Sequence, residues 1–176
     1  MGKIGLRIPR VKLFCGLIFK DRALADRAVL LLSRKYGRVD SVSDVLPFDK
    51  TTYYEEEMGL DLKRMFLSFE RLIDREKISL VKHDSNRMEL SISGGEERRK
   101  INIDPGYLTA ANVSLATTKD FQHRVYVGRG IYLENTLRFR RGGWEDWEWT
   151  YPDYRSAEYK AWFDRIRALY MTQLKG

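Results

Sequence analysis

Cysteine is almost missing from this 176-residue chain. Cys15 stands alone, which rules out an internal disulfide and a cysteine-based metal site. Set in the apolar run Leu13-Phe14-Cys15-Gly16-Leu17-Ile18-Phe19, it is expected to be a buried, inert thiol. Histidine is nearly as scarce: His83 and His123 lie far apart and neither belongs to a metal-ligand spacing, so no metal is expected. No apolar run approaches the roughly 20 residues that span a bilayer, and residues 1–12 carry neither an apolar signal core nor a cleavage pattern. A myristoylation signal fails because Leu6 stands where Ser or Thr is required. The expectation is a soluble cytoplasmic protein with no membrane partner. Catalytic signatures are missing too: there is no Gly-x-x-x-x-Gly-Lys-Ser/Thr loop, Gly-x-Ser-x-Gly elbow, zinc spacing or Rossmann fingerprint, and no paired His-x-Thr motifs of two-histidine phosphoesterases. Thr118-Lys119-Asp120 lacks the residue that a base-reading Thr-Lys-x-Asp needs, so a P-loop GTPase is excluded. No cofactor is implied.

What is present is enough for a core and a basic surface. Hydrophobic residues make up 43% of the chain, and 32 Lys and Arg against 25 Asp and Glu leave a net charge of +7. That balance favours anionic partners such as a nucleotide, a phosphorylated metabolite or RNA. Charges of both signs also mean that much of the surface is simply solvated.

Read in order, residues 1–10 form a basic arm and 11–176 one α+β domain. Residues 12–20, nearly continuous in apolar side chains, predict a buried central strand in which Gly16 marks a close approach. Asp21 is a plausible N-cap for a helix with Leu24, Ala28, Leu31 and Leu32 inward and Gly37 at its end. Residues 39–48 read as strand, broken at Pro47. Residues 51–58, TTYYEEEM, read as an acidic exposed edge, or as a carboxylate contributing to a site with Tyr53 or Tyr54. The 62–73 segment fits helix or strand, and strand completes the topology. Residues 74–90 read as helix, ended by Gly94-Gly95, with His83 toward solvent. The order strand, helix, strand, strand, helix, strand is that of a ferredoxin-like βαββαβ core. An antiparallel hairpin extends it, and a C-terminal amphipathic helix over 156–175 turns Tyr159, Trp162, Phe163, Ile166, Leu169 and Tyr170 inward.

Most of the unusual polar residues fall within 100–134. Asp104-Pro105-Gly106-Tyr107 has the composition of a type II turn. A hairpin of 123–127 and 131–139 about Gly128-Arg129-Gly130 would put Tyr126 opposite Tyr132, Arg124 opposite Glu134 and Val125 opposite Leu133. Asp104, Lys119, Asp120, His123, Arg124 and Glu134 would then converge near one end of the sheet. His123 beside Asp104 would make a general acid/base pair, with Lys119 or Arg124 holding a phosphate or carboxylate. The plain alternative has Asp104 capping a turn, Arg124 pairing with Glu134 and His123 ending a strand. Residues 138–154, rich in Arg, Trp and Tyr, read as a structural flap or as a base-stacking platform, although Glu145, Asp146, Glu148 and Asp153 would repel a phosphate backbone.

Ile101-Asn102-Ile103-Asp104-Pro105-Gly106-Tyr107-Leu108, Leu115-Ala116-Thr117-Thr118-Lys119-Asp120, His123-Arg124-Val125-Tyr126, Gly130-Ile131-Tyr132 and Trp149-Thr150-Tyr151-Pro152-Asp153-Tyr154 occur in that order. With Pro47-Phe48-Asp49 and Tyr53-Tyr54-Glu55-Glu56-Glu57-Met58-Gly59, they make the chain resemble a prokaryotic family of unknown function along nearly its whole length. The resemblance implies membership and no particular activity. Three classes stay open: a binding module for a phosphate-bearing ligand (with Tyr126 and Tyr132 beside the charged residues) or for RNA, an enzyme on the same surface, and a structural or partner-binding protein. The oligomeric state is not legible.

Overall fold

The computed structural model describes residues 8–95 and 99–175. The apolar run near the N-terminus becomes β1, Lys12–Phe19, buried along its whole length. Asp21 accepts a hydrogen bond from the Ala23 amide at 2.9 Å and opens α1, Arg22–Tyr36; Gly37, at φ 98°, closes it. The chain then forms β2, Val39–Val42, and β3, Leu46–Pro47. A short helix α2, Glu55–Met58, precedes β4, Lys63–Phe69, and α3 spans Ile78–Ile92. The strands β5, Ile101–Leu108, β6, Asn112–Thr117, β7, Val125–Tyr126, β8, Tyr132–Arg140, and β9, Gly143–Asp146, follow. Helix α4, Ala157–Gln173, is capped by Ser156 and ends the fold.

Among the described residues the nine strands join in one sheet of order β2-β4-β1-β5-β6-β8-β7, with β3 on β4 and β9 on β8. Every pairing is antiparallel. The architecture is thus α+β as expected, but the sheet is wider than the four strands of the expected core. The ambiguous 62–73 segment supplies a strand next to β1.

Alternation along the strands builds two main cores, beside a small cluster of Ile18, Phe48 and Leu62. Leu13, Cys15, Leu17, Met65, Leu67, Phe69, Ile101 and Ile103 face α1 and α3. Phe14, Phe66, Leu108, Val113 and Leu137 face α4, which contributes Tyr159, Trp162, Phe163, Ile166 and Tyr170. Leu169, expected inward, is 38% exposed. No helix among the described residues is long and apolar enough to cross a membrane.

Two local expectations are overturned. Asp104-Pro105-Gly106-Tyr107 is no turn: β5 runs straight through it, and Gly106 does not have the positive φ that a type II turn needs. Gly106 is small for another reason. A Cβ there would lie 2.4 Å from the Ser114 carbonyl oxygen and 2.5 Å from the Phe14 ring. Residues 55–58 of the expected acidic edge are helical, because Gly59 at φ 85° stops a single turn whose acidic residues sit at the favourable N-terminal end. The predicted hairpin register holds, with Val125 opposite Leu133 and Tyr126 opposite Tyr132. Its first strand is shorter than expected, and His123 lies in the turn before it. Most of the expected basic arm lies outside the described residues; Arg10 pairs with Asp74 at 3.0 Å.

Candidate functional site

Strands β5 and β6 pair only through Gly106↔Leu115, Tyr107↔Ser114 and Leu108↔Val113. Beyond Gly106 the next residue is Pro105, which has no N–H to offer a ladder. The two strands splay there and a cleft of about 480 Å³ opens between them. That is within the roughly 300–1,000 Å³ range of small-molecule sites. Its walls are the end of β6 and the following Thr118 and Lys119, Tyr53 and Tyr54 before α2, and the turn of Pro152, Asp153 and Tyr154.

Arg64 forms the floor, only 4% exposed. Its reach depends on Gly16, since a Cβ at that position would meet Arg64 Nη1 at 2.6 Å. Lacking one, β1 lets the guanidinium cross from β4 toward Asp104 on β5 at 3.5 Å and toward Asp153 at 3.3 Å. The rings of Phe48, Phe66 and Tyr154 lie 5.1, 5.4 and 5.7 Å from its carbon, so π faces help to hold a desolvated cation. From the opposite layer α3 sends Lys82, whose Nζ lies 3.6 Å from Asp104 and 3.3 Å from the Ile103 carbonyl.

The two carboxyls on this floor are driven apart. Burial pushes Asp104 up, but Lys82, Arg64 and the Asn102 hydrogen bond hold it below the usual carboxylate range. For Asp153 burial prevails over Arg64, and its carboxyl is pushed above that range. Burial likewise raises the Tyr154 hydroxyl well above its ordinary value.

Arg124 organises the opposite wall with all three guanidinium nitrogens. Nε donates to Glu134 Oε2 at 2.7 Å, Nη1 to the Lys119 carbonyl at 3.0 Å and Nη2 to the Tyr151 hydroxyl at 2.9 Å. Lys119 Nζ donates to the Tyr53 hydroxyl and sits over that ring, with no carboxylate in ion-pair range among the described residues. Arg99 closes one end, held by Glu57 at 2.7 Å and Glu89 at 3.7 Å. Six basic side chains line the cleft, Lys50, Arg64, Lys82, Arg99, Lys119 and Arg124, against three carboxylates, Asp104, Glu134 and Asp153.

Of the residues singled out from sequence, Asp104, Lys119, Arg124 and Glu134 come together here. His123 does not line the cleft. Its ring stacks on Trp149 at 5.0 Å and its Nε2 is 3.4 Å from Glu134 Oε2, behind the wall, while the partners of Asp104 are Arg64, Lys82 and Asn102. Tyr126 and Tyr132 touch each other at 5.3 Å on the hairpin, and Asp120 is an exposed hydrogen-bond partner of Tyr132; all three are outside the lining. Sequence reading misses Arg64, Lys82 and Arg99, offers Tyr53 only beside a carboxylate of its own segment, and places Tyr151, Asp153 and Tyr154 only in the 138–154 flap or platform. Of the first three only Arg64 carried a signal, as a basic residue abutting the apolar run Met65-Phe66-Leu67.

The Trp-rich segment packs rather than projects. Trp144 is buried against Phe139 and Phe163. Arg138 lies 4.4 Å from the Trp147 ring, Trp147 stacks on Trp149 at 5.1 Å, and Trp149 stacks on His123. Their ring faces are occupied by one another. Among the described residues no group of three His, Cys, Asp or Glu side chains is placed to hold a metal ion.

Fold and cleft define an α+β protein in which a layered antiparallel sheet opens, at one splayed seam, into a basic cleft rimmed by tyrosines. The chain belongs to the family described as Domain of unknown function (DUF4416), whose model matches residues 9–170. No curated protein and no solved structure matches it.

Proposed function

We propose that the cleft binds a small phosphate-bearing anion, a nucleotide or a phosphorylated metabolite, and that residues 11–176 act as one unit around it. The observation that carries this reading is the charge imbalance of the lining, six basic side chains against three acidic, with Lys119 lacking a carboxylate partner among the described residues. A lining of that sign attracts phosphate, and Arg64 and Arg124, already held by hydrogen bonds, need little reordering to receive it. The order β2-β4-β1-β5, with α1 and α3 on one face, supports a ferredoxin-like reading of this half of the chain. Arg124 and Glu134 of the hairpin region and the turn at Tyr151, Pro152, Asp153 and Tyr154 then add the second wall of the cleft.

The test is thermal melting in pyrophosphate, ribose 5-phosphate and adenosine 5′-monophosphate, each at low and moderate salt. A ligand at about 100 times its dissociation constant stabilises the fold by roughly 2.7 kcal/mol, a readable shift. At least one should raise the melting temperature of the wild type and much less that of Lys119→Ala, whose own melting should be nearly unchanged because the side chain is exposed. No shift from any of them would overturn the proposal. A shift produced by RNA alone and abolished by salt would point to nucleic acid instead.

A further inference from the structure

The basic half of the cleft accounts for a phosphate, but the acidic half does not. Glu134 is 1% exposed, and its Oε2 takes the Arg124 guanidinium while its Oε1 has no hydrogen-bond partner among the described residues. The hydroxyl of Tyr154, a residue also 1% exposed, and Arg64 Nε are buried in the same lining without hydrogen-bond partners among the described residues. Asp104 adds a second carboxylate, with a quarter of its side chain open. A buried carboxylate oxygen left unmatched is costly, and an ionised phosphate cannot match it, because both are acceptors and both are negative. What satisfies Glu134 must donate a hydrogen bond. An ammonium group would do so, but it would enter a lining in which basic groups outnumber acidic ones two to one. A hydroxyl donates without that repulsion.

Resting on the anion-binding reading above, we infer that the ligand carries hydroxyl groups beside its phosphate: it is a sugar phosphate, free or as the ribose phosphate of a nucleotide. The phosphate lies toward Thr118 and Lys119, and the hydroxyls toward Glu134 and Asp104. Carboxylates on ribose hydroxyls are a recurrent solution to this recognition problem. Arg124 couples the two halves, since one guanidinium bridges Glu134 and the Lys119 carbonyl.

Calorimetric titration of four compounds tests it: ribose 5-phosphate, adenosine 5′-monophosphate, its 2′,3′-dideoxy counterpart and pyrophosphate. At least one hydroxylated ligand should bind about tenfold or more tighter than the dideoxy compound and pyrophosphate, the worth of a hydrogen bond to a charged group. Glu134→Gln should remove most of that preference, read as the ratio of hydroxylated to dideoxy affinity, whatever it does to pyrophosphate binding. Because Glu134 also anchors Arg124, Tyr154→Phe is a second variant, and the ligand comparison on the unaltered protein needs neither. Equal binding by ribose 5-phosphate and the nucleotide assigns the free sugar phosphate as sufficient. Binding by the nucleotide alone assigns the base to the tyrosine rim. If pyrophosphate and the dideoxy compound bind as well as the others, the hydroxyl inference is overturned and the anion site survives. If none of the four binds, both fall.

Discussion

Gly16 and Gly106 are small because other groups occupy the space their side chains would take. At Gly16 the neighbour is the Arg64 guanidinium, the far end of a side chain; at Gly106 it is the backbone carbonyl of Ser114. A side chain can shift and a sheet backbone cannot, so the two positions should answer differently to the same substitution. Gly16→Ala is expected to cost about 1–3 kcal/mol as an overpacking change, and Gly106→Ala more than that. Gly143, which has no atom within 4 Å of a built Cβ and no positive φ, is the control, with Gly143→Ala staying within about 0.5 kcal/mol. Urea unfolding of the three variants checks the order. Gly16 was legible in sequence as a close approach, whereas Gly106 was misread, because Asp-Pro-Gly-Tyr has the same composition whether it turns a chain or ends a ladder.

At the scale of elements, α4 covers the aromatic part of one face of the sheet. Phe163 is fully buried and meets Phe14, Phe66, Trp144 and Tyr154 through ring contacts of 5.2 to 6.4 Å. Phe163→Ala should therefore lose about 3–5 kcal/mol. Leu169→Ala, on the partly exposed side of the same helix, should lose far less. Denaturant midpoints at unchanged m-value read the difference. Helix periodicity revealed the inward residues of α4 but for Leu169, and the apolar stripe of Leu24, Ala28, Leu31 and Leu32 likewise marked the 15-residue α1. Helix α2 was hidden, because a single turn is too short to show a period and is fixed by Gly59 and by the pairing of Glu57 with Arg99 from a distant segment.

The molecule as a whole has opposed responses to acid. Asp104 and Asp84 are both pushed up by burial and pulled further down by their cationic and hydrogen-bonding partners, so each ends below its ordinary value near 3.8. Their contribution is therefore complete above that value and is lost as pH falls through the folded one. Glu89 and Asp153 are raised, chiefly by burial, and do the reverse: they cost stability at neutral pH, and that cost recedes on acidification. Asp104→Asn should thus flatten the acid limb of the stability profile, and Glu89→Gln should steepen it. Urea midpoints measured from pH 7 down to the acid transition decide. The same arrangement explains the cleft, where carboxyls of opposite tendency face an excess of fixed cations across 480 Å³.

The sequence by itself determined what local chemistry controls. A nearly continuous apolar run made β1 central, caps at Asp21 and Gly37 bounded α1, and alternation with a glycine-flanked loop set the register of Val125 and Tyr126 on β8. It also brought Arg124 to Glu134, since a hairpin pairs residues ten positions apart by geometry alone. Tertiary structure decided the rest. The cleft exists because β5 and β6 part company at Pro105, and its floor is assembled from Arg64, Lys82, Asp104 and Asp153, which lie on four separate elements or turns. Such long-range ion pairs leave no period and no spacing in the chain. They follow from which strands become neighbours, and that is set by how the whole sheet buries its two faces.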